Sequence, residues 1–92
     1  MAELHRVQVS DACVGLTFAP ASNLFYVGGG SRASIFEFAL TSEGRIEPRR
    51  EFPLVPQESR KPADFIGDIA FSPDGRLLFA AALYRNSVFV VN

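Results

Sequence analysis

The sequence predicts an all-β chain made of short antiparallel sheets in repeated units. Three observations carry that expectation. β-Branched and aromatic residues gather in short runs bounded by Gly, Pro, Asn and Ser, which favours strand over helix. One long stretch matches a later stretch without a gap. The closing runs "LLFAAAL" and "SVFVV" do not alternate apolar with polar, so both faces of that sheet must be covered.

The repeat sets the order of elements. Sliding the sequence along itself so that Phe18 meets Phe71, an offset of 53 (71 − 18), lays 13–39 on 66–92. Pro20 then meets Pro73, Leu24 meets Leu77, Arg32 meets Arg85, Ser34 meets Ser87 and Phe36 meets Phe89. These identities fall at turns and at apolar strand positions, where chance matches would not concentrate.

Each copy reads as three strands. The first is Val14–Ala19 or Asp68–Ser72, the second Leu24–Gly28 or Leu77–Ala82, the third Ser34–Leu40 or Ser87–Val91. The Ala triplet at 80–82 suits a helix in isolation, but its place in the repeat makes it strand. A fourth strand is expected within 44–55, where Ile46 and Phe52 stand among charges and prolines, as an edge strand requires. A polar connection with Pro follows at 56–64. Residues 3–10, "ELHRVQVS", alternate like an outer strand without its own sheet. Helix content should be near zero.

Sheets that are apolar on both faces, in a chain with no helix to cover them, must be covered by other sheets. Short four-stranded antiparallel sheets stacked face to face are the blades of a β-propeller. The expected architecture is therefore a partial propeller of two four-stranded blades, out of phase by one strand. Residues 3–10 supply the outer strand of a neighbouring blade, 13–55 a complete blade, 56–64 the connecting loop and 66–92 three strands of the next. Two blades cannot close a ring, and each leaves an apolar face. The expected partners are further blades of the same chain or identical copies in a ring-forming oligomer. A two-sheet sandwich is the structural rival, and it should alternate more cleanly.

Composition bounds the rest. Ninety-two residues allow one domain at most, burying roughly 60–65 % of the surface the unfolded chain exposes. With 48 % hydrophobic and 21 % charged residues the chain is not disordered. A net charge of −1 gives no general attraction to nucleic acid or anionic lipid. Cys13 is the single cysteine, which excludes an internal disulfide and a thiolate metal cluster; its apolar neighbours make it a core residue. The first ten residues lack the basic and apolar regions of a signal peptide, and no run approaches the ~20 apolar residues of a membrane helix. The compartment stays open.

Ser72-Pro73-Asp74-Gly75 has turn chemistry throughout. Pro73 presets φ, Asp74 tolerates the second central position and Gly75 takes the left-handed one. The matching stretch, Ala19-Pro20-Ala21-Ser22, keeps only the proline, so a catalytic Asp74 would have no counterpart. "GGGSR" at 28–32 lacks the Lys-Ser/Thr of a phosphate loop and precedes no helix; a crowded strand end where only Gly fits is the expectation. His5 stands alone without ligand spacing and reads as solvated surface. Glu37, between Phe36 and Phe38, either pairs with an Arg or sits at a wet edge.

"SPDGRLLFAAALYRNSVFVVN" resembles the repeat of the YVTN family of β-propellers. Phe79 stands at that family's tyrosine, with Ala80, Ala81 and Ala82 at its Val, Thr and Asn. Asn86, Ser87, Val88, Val90 and Asn92 follow its closing N-T-V-x-V-x-D. Tyr26-Val27 of the first copy are in place, while Gly28-Gly29 stand where Thr-Asn would. The resemblance covers most of 13–92 and specifies a blade, not an activity. It is similar above all to the amino-terminal propeller of bacterial proteins in which such a propeller precedes a phosphoesterase domain, with lactonase-type propellers a second relation. A secreted or periplasmic setting follows only through that resemblance.

In a propeller, the loops entering the first strand and joining the second to the third crowd one rim. Here those loops are 11–12, 29–33, 62–65 and 84–86. Arg32, Asp64, Tyr84, Arg85 and Asn86 are the candidate residues for a partner or small ligand there, against the plainer role of strand-end arginines that pack their stems on a neighbouring blade. No residue suggests itself as catalytic or as a metal ligand, and no cofactor is implied. The expected function is a non-catalytic scaffold or binding module; the alternative is part of a hydrolase, phosphoesterase-linked or lactonase-like. Rim arginines raise nucleic-acid binding as a third class, which the overall charge argues against.

Overall fold

The computed structural model describes residues 2–9, 15–82 and 84–92. Seven strands run in order: β1 (Leu16–Phe18), β2 (Leu24–Gly28), β3 (Ser34–Leu40), β4 (Ile46–Pro53), β5 (Ile66–Phe71), β6 (Leu78–Ala82) and β7 (Ser87–Val91). One 3-10 turn, Gln57–Ser59, lies between β4 and β5, and the described residues hold no α-helix. The strands form two antiparallel meanders, a four-stranded sheet β1-β2-β3-β4 and a three-stranded sheet β5-β6-β7. The chain is thus all-β with two antiparallel sheets.

Strand limits depart from expectation where local hydrogen bonds compete. β6 starts at Leu78 because the Leu77 N–H is held by Ser72 Oγ at 3.1 Å, which keeps Leu77 in the turn. β5 starts earlier than expected, at Ile66, which pairs with Ala82 across a bulge at 67–68. Residues 3–10 were expected to form an outer strand; 3–9 pair with no strand among the described residues, and residue 10 lies outside them. The expected start of the first strand at Val14, the core residue Cys13 and the rim loop 11–12 lie outside the described residues.

The Ser72–Gly75 turn closes on itself. Gly75 N–H donates to Ser72 O at 2.9 Å, Ser72 Oγ donates to Asp74 Oδ1 at 2.7 Å, and the Arg76 N–H donates to the same oxygen at 3.1 Å. The bond from Ser72 holds the Asp74 carboxyl below its ordinary range. Gly75 has φ +75°, the left-handed value the turn requires. These four residues are spent on the bend.

Register decides which side chains share a face. Leu16, Val27 and Phe36 lie side by side, as do Phe18, Phe25 and Phe38, so one face of the first sheet is apolar across β1 to β3, with Glu51 of β4 beside Phe36 at its edge. Its other face carries Tyr26, Ile35, Glu37 and Phe52. In the second sheet one face carries Ile69, Phe71, Leu78, Ala80, Phe89 and Val91, and the opposite face Ala70, Phe79, Ala81, Val88 and Val90. The Tyr26–Ile35 face of the first sheet packs on the Ile69–Leu78 face of the second, with Ile66, Ala80 and Ala82 completing the core. Tyr26 and Phe71 meet edge to face, centroids 5.4 Å apart.

The two sheets are also joined through backbone. Gly30 and Ile66 exchange a pair of hydrogen bonds, Gly30 N to Ile66 O at 3.0 Å and Ile66 N to Gly30 O at 2.9 Å. Beside that bridge, a Cβ on Gly28 would lie 2.4 Å from the Gly67 carbonyl oxygen, and one on Gly15 would lie 2.7 Å from the same atom. Neither position has room for a methyl group against rigid backbone. The glycine run therefore marks the line where two sheets touch main chain to main chain.

Gly28→Ala should lower stability by about 1–3 kcal/mol, because the methyl can be seated only by parting the sheets. For a chain of this size that is a fall in melting midpoint on the order of 5–20 °C. Ser31→Ala, on an exposed turn residue nearby, should leave the midpoint unchanged in the same thermal melts.

Candidate functional site

Four of the rim candidates come from the connection before β5 and the turn between β6 and β7. Asp64 is 1 % exposed. One carboxylate oxygen accepts the Lys61 N–H at 3.0 Å, and the Asp64 N–H donates to Lys61 O at 2.9 Å, so a closed turn fixes the side chain. The other oxygen accepts a hydrogen bond and ion pair from Arg85 Nε. The Arg85 guanidinium, helped by the Lys61 backbone against the burial of the group, holds the Asp64 carboxyl below its ordinary range. The turn at Arg85 is thereby tied to the entry of β5.

Tyr84 and Asn86 flank that pair. Tyr84 is 67 % exposed, with its ring tilted on Phe65 at 5.6 Å. Asn86 has φ +53°, a left-handed conformation that Asn tolerates better than most residues. Ala33 stands at the equivalent place of the first copy with φ 51°, so the turn geometry repeats even where the residue does not.

Arg32 takes a different partner from its counterpart Arg85. Its Nε and Nη2 donate to the two oxygens of Glu51, each at 2.9 Å, in a fork-to-fork pair. Ser34 Oγ adds a third bond to Glu51 at 2.7 Å, and the guanidinium lies 5.9 Å from the Phe36 ring centroid. The Arg32 bond outweighs burial and holds Glu51 below its ordinary range. Arg32 and Arg85 are equivalent by repeat, but one clamps β4 and the other the strand entry.

A second polar cluster lies between the sheets. Glu37 is 2 % exposed and accepts Tyr26 Oη at 2.6 Å, Arg50 Nε at 3.1 Å and Arg49 Nε at 3.2 Å. Two adjacent arginines reach one carboxylate because the β3–β4 register shifts at Glu37/Phe38, leaving Arg49 as the extra residue of a bulge. Burial alone would raise the Glu37 pKa; the bonds from Tyr26, Arg50 and Arg49 overcome it and lower it. Burial and the Glu37 hydrogen bond push the Tyr26 phenol up to about 12. A cavity of about 410 Å³ opens here, lined by Tyr26, Glu37, Arg50, Phe52, Phe71 and Arg76.

Sequence reasoning left Glu37 open between ion pair and wet edge; it is buried and paired. It did not single out Glu51, whose only signal is an acidic residue on a charged edge strand opposite Phe36. His5, expected as solvated surface, is half-buried, and its Nδ1 accepts the Ile46 N–H at 2.8 Å.

The chemistry available is that of neutralised carboxylates. Asp64, Glu51 and Glu37 all have lowered pKa values and arginine partners, which suits ion pairing and opposes proton donation at neutral pH. Among the described residues no three His, Cys, Asp or Glu side chains converge as a metal-binding group, and no helix is long and apolar enough to cross a membrane. No protein-family model matches the chain, and neither curated proteins nor solved structures gave a match.

Two outcomes follow from these clusters. In a Tyr84→Phe background the remaining phenol, Tyr26, should ionise at about pH 12 by absorbance at 295 nm, and Glu37→Gln should bring that value down. Since the folded value lies above the free one, stability is full below about pH 10 and falls as pH rises toward 12. At the acid end, the carboxylates are depressed in the folded state. Stability should hold above their ordinary values near pH 4 and fall as pH drops through the lower folded ones. Arg85→Ala should shift that acid transition to higher pH, because it strands the buried Asp64.

Proposed function

We propose that this chain is a two-blade segment of a β-propeller of the YVTN kind, acting as a non-catalytic scaffold that presents a rim to a partner or small ligand. One observation carries the reading. The two meanders repeat at a fixed offset, and they stack by opposite faces, the Tyr26–Ile35 face of one on the Ile69–Leu78 face of the next. Such an interface is heterologous, so each sheet can accept another of its kind on its remaining face.

On this reading 13–55 is the complete blade and 66–92 three strands of the next, joined by 56–64. The partly buried ion pairs of Arg32 and Arg85 hold the rim turns in place, which leaves Tyr84 and Asn86 as the side chains most open to a ligand. A polar rim over a stack of apolar sheets is the arrangement of a scaffold, in which binding is set by loops and stability by the stack.

Tandem copies of the chain joined by short flexible linkers test the reading. A closed, disc-shaped particle in electron micrographs, melting cooperatively above the midpoint of a single copy, is the expected result. Beads on a string that melt as a single copy does would overturn it. Hydrolysis of a lactone or a phosphodiester above the buffer rate, abolished by Asp64→Asn, would overturn the non-catalytic part.

A further inference from the structure

Residues 5–9 have the side-chain pattern of a strand but no sheet. His5, Val7 and Val9 are half-buried while Arg6 and Gln8 are exposed, an alternation with period two. Val7 and Val9 rest on Phe25, Val27 and Phe38, on the outer face of the first sheet. His5 anchors the segment to the start of β4. Yet 2–9 has no ladder partner among the described residues, so its backbone groups lack the bonds that a strand makes.

The second sheet shows the complementary deficit. β7 pairs with β6 on one side and, among the described residues, with no strand on the other. Its counterpart β3 has β4 on that side. Just after β4, Leu54 and Val55 pack on the core face of the second sheet. Val7 and Val9 stand in the same relation to the first sheet: an outer segment lying on the face that a neighbour would cover.

Burial at equivalent positions completes the argument. Ile69 is 4 % exposed and its counterpart Leu16 is 58 % exposed; Ile35 is 1 % exposed and its counterpart Val88 is 59 % exposed. The two uncovered faces are therefore the two halves of the interface already formed inside the chain. Charge does not oppose their meeting, since both are apolar at their centres.

We propose that copies of this chain join head to tail: residues 3–9 of one copy add as the fourth strand to the open edge of β7 in another, while the Val88–Val90 face of that second sheet stacks on the Leu16–Phe18 face of the first copy. The proposal rests on the blade reading above and names its partner as a second copy. Contact of unlike faces does not cancel itself in a dimer, so the assembly grows until rotation closes it.

Hydrogen exchange of the full chain over a concentration series tests it, read beside sedimentation. As mass rises, the amides of residues 4–9 and of Ser87–Val91 should gain protection together, by about tenfold or more. Val88→Lys with Val90→Lys, both on exposed positions, should remove the association and both sets of protection while the far-ultraviolet spectrum is retained. A chain that stays monomeric at every concentration overturns the proposal. So does association that leaves either 4–9 or Ser87–Val91 unprotected. If tandem copies form discs while separate copies do neither, the blade reading stands and this inference alone fails.

Discussion

The structure depends on the absence of side chains where its two sheets cross. Gly15, Gly28 and Gly67 bring main chain against main chain, and Gly30 and Ile66 close that contact with two hydrogen bonds. Only at this separation can Ile35 reach Ile69, Leu78 and Ala80, and only then is Tyr26 set edge-on to Phe71. A chain of this length has little apolar area to spend. It compensates by locking the sheets at one line, where a bulge at 67–68 supplies the closest backbone, and by filling the wedge outward from it.

That wedge explains the buried charge. Moving away from the glycine line, the sheets part, and the face that holds Ile35 also holds Glu37. A carboxylate there would be costly alone. The bulge in β4 turns a single arginine partner into two, and Tyr26 contributes its hydroxyl across the strand. Both oxygens of Glu37 are engaged by its own sheet, one by Tyr26 and the other by Arg49 and Arg50, so the cluster lines a cavity between sheets as a paired carboxylate. The same economy holds at Asp64 and Glu51, each satisfied by one arginine and a second donor. The polar groups fix strand ends and register; the apolar groups hold the sheets together.

The all-β class, the meander order and the limits of β2, β3 and β7 were legible because each rests on local signals: alternation, turn residues and a repeat whose identities fall at turns. The glycine run was legible as crowding for the same reason. What escaped notice depends on relations between strands. The pairing of Arg32 with Glu51 needs the β3–β4 register, and that register contains a bulge invisible in composition. The repeat even misled here, since equivalent arginines find partners from different elements. Residues 2–9 read as a strand by pattern, and their burial does alternate, but a ladder requires an edge to pair with, and alternation says nothing about where that edge is. The pairing of Arg32 with Glu51 and of Arg85 with Asp64 was not legible, because each depends on strand register or on a turn that the repeat does not encode.

Equivalent residues of the two sheets are unequally buried: Ile69 and Ile35 are covered where Leu16 and Val88 are exposed. In a sandwich each sheet has an inner and an outer face, and the outer ones turn polar. Here the outer face of the second sheet carries Ala70, Phe79, Ala81, Val88 and Val90, none of them polar. The first sheet leaves Leu16 and Phe18 uncovered although a segment of its own chain lies beside them. Burying the pair of faces against each other would remove several large apolar side chains from water, each contributing about 1.5–3 kcal/mol when fully covered. That gain is set against the freedom lost on association, on the order of 4–15 kcal/mol. Stacking alone therefore sits near balance, and the backbone bonds of an added strand are what would tip it. In the proposed head-to-tail assembly the same two copies would contribute both the added strand and the stacked faces, so edge and face would form one interface.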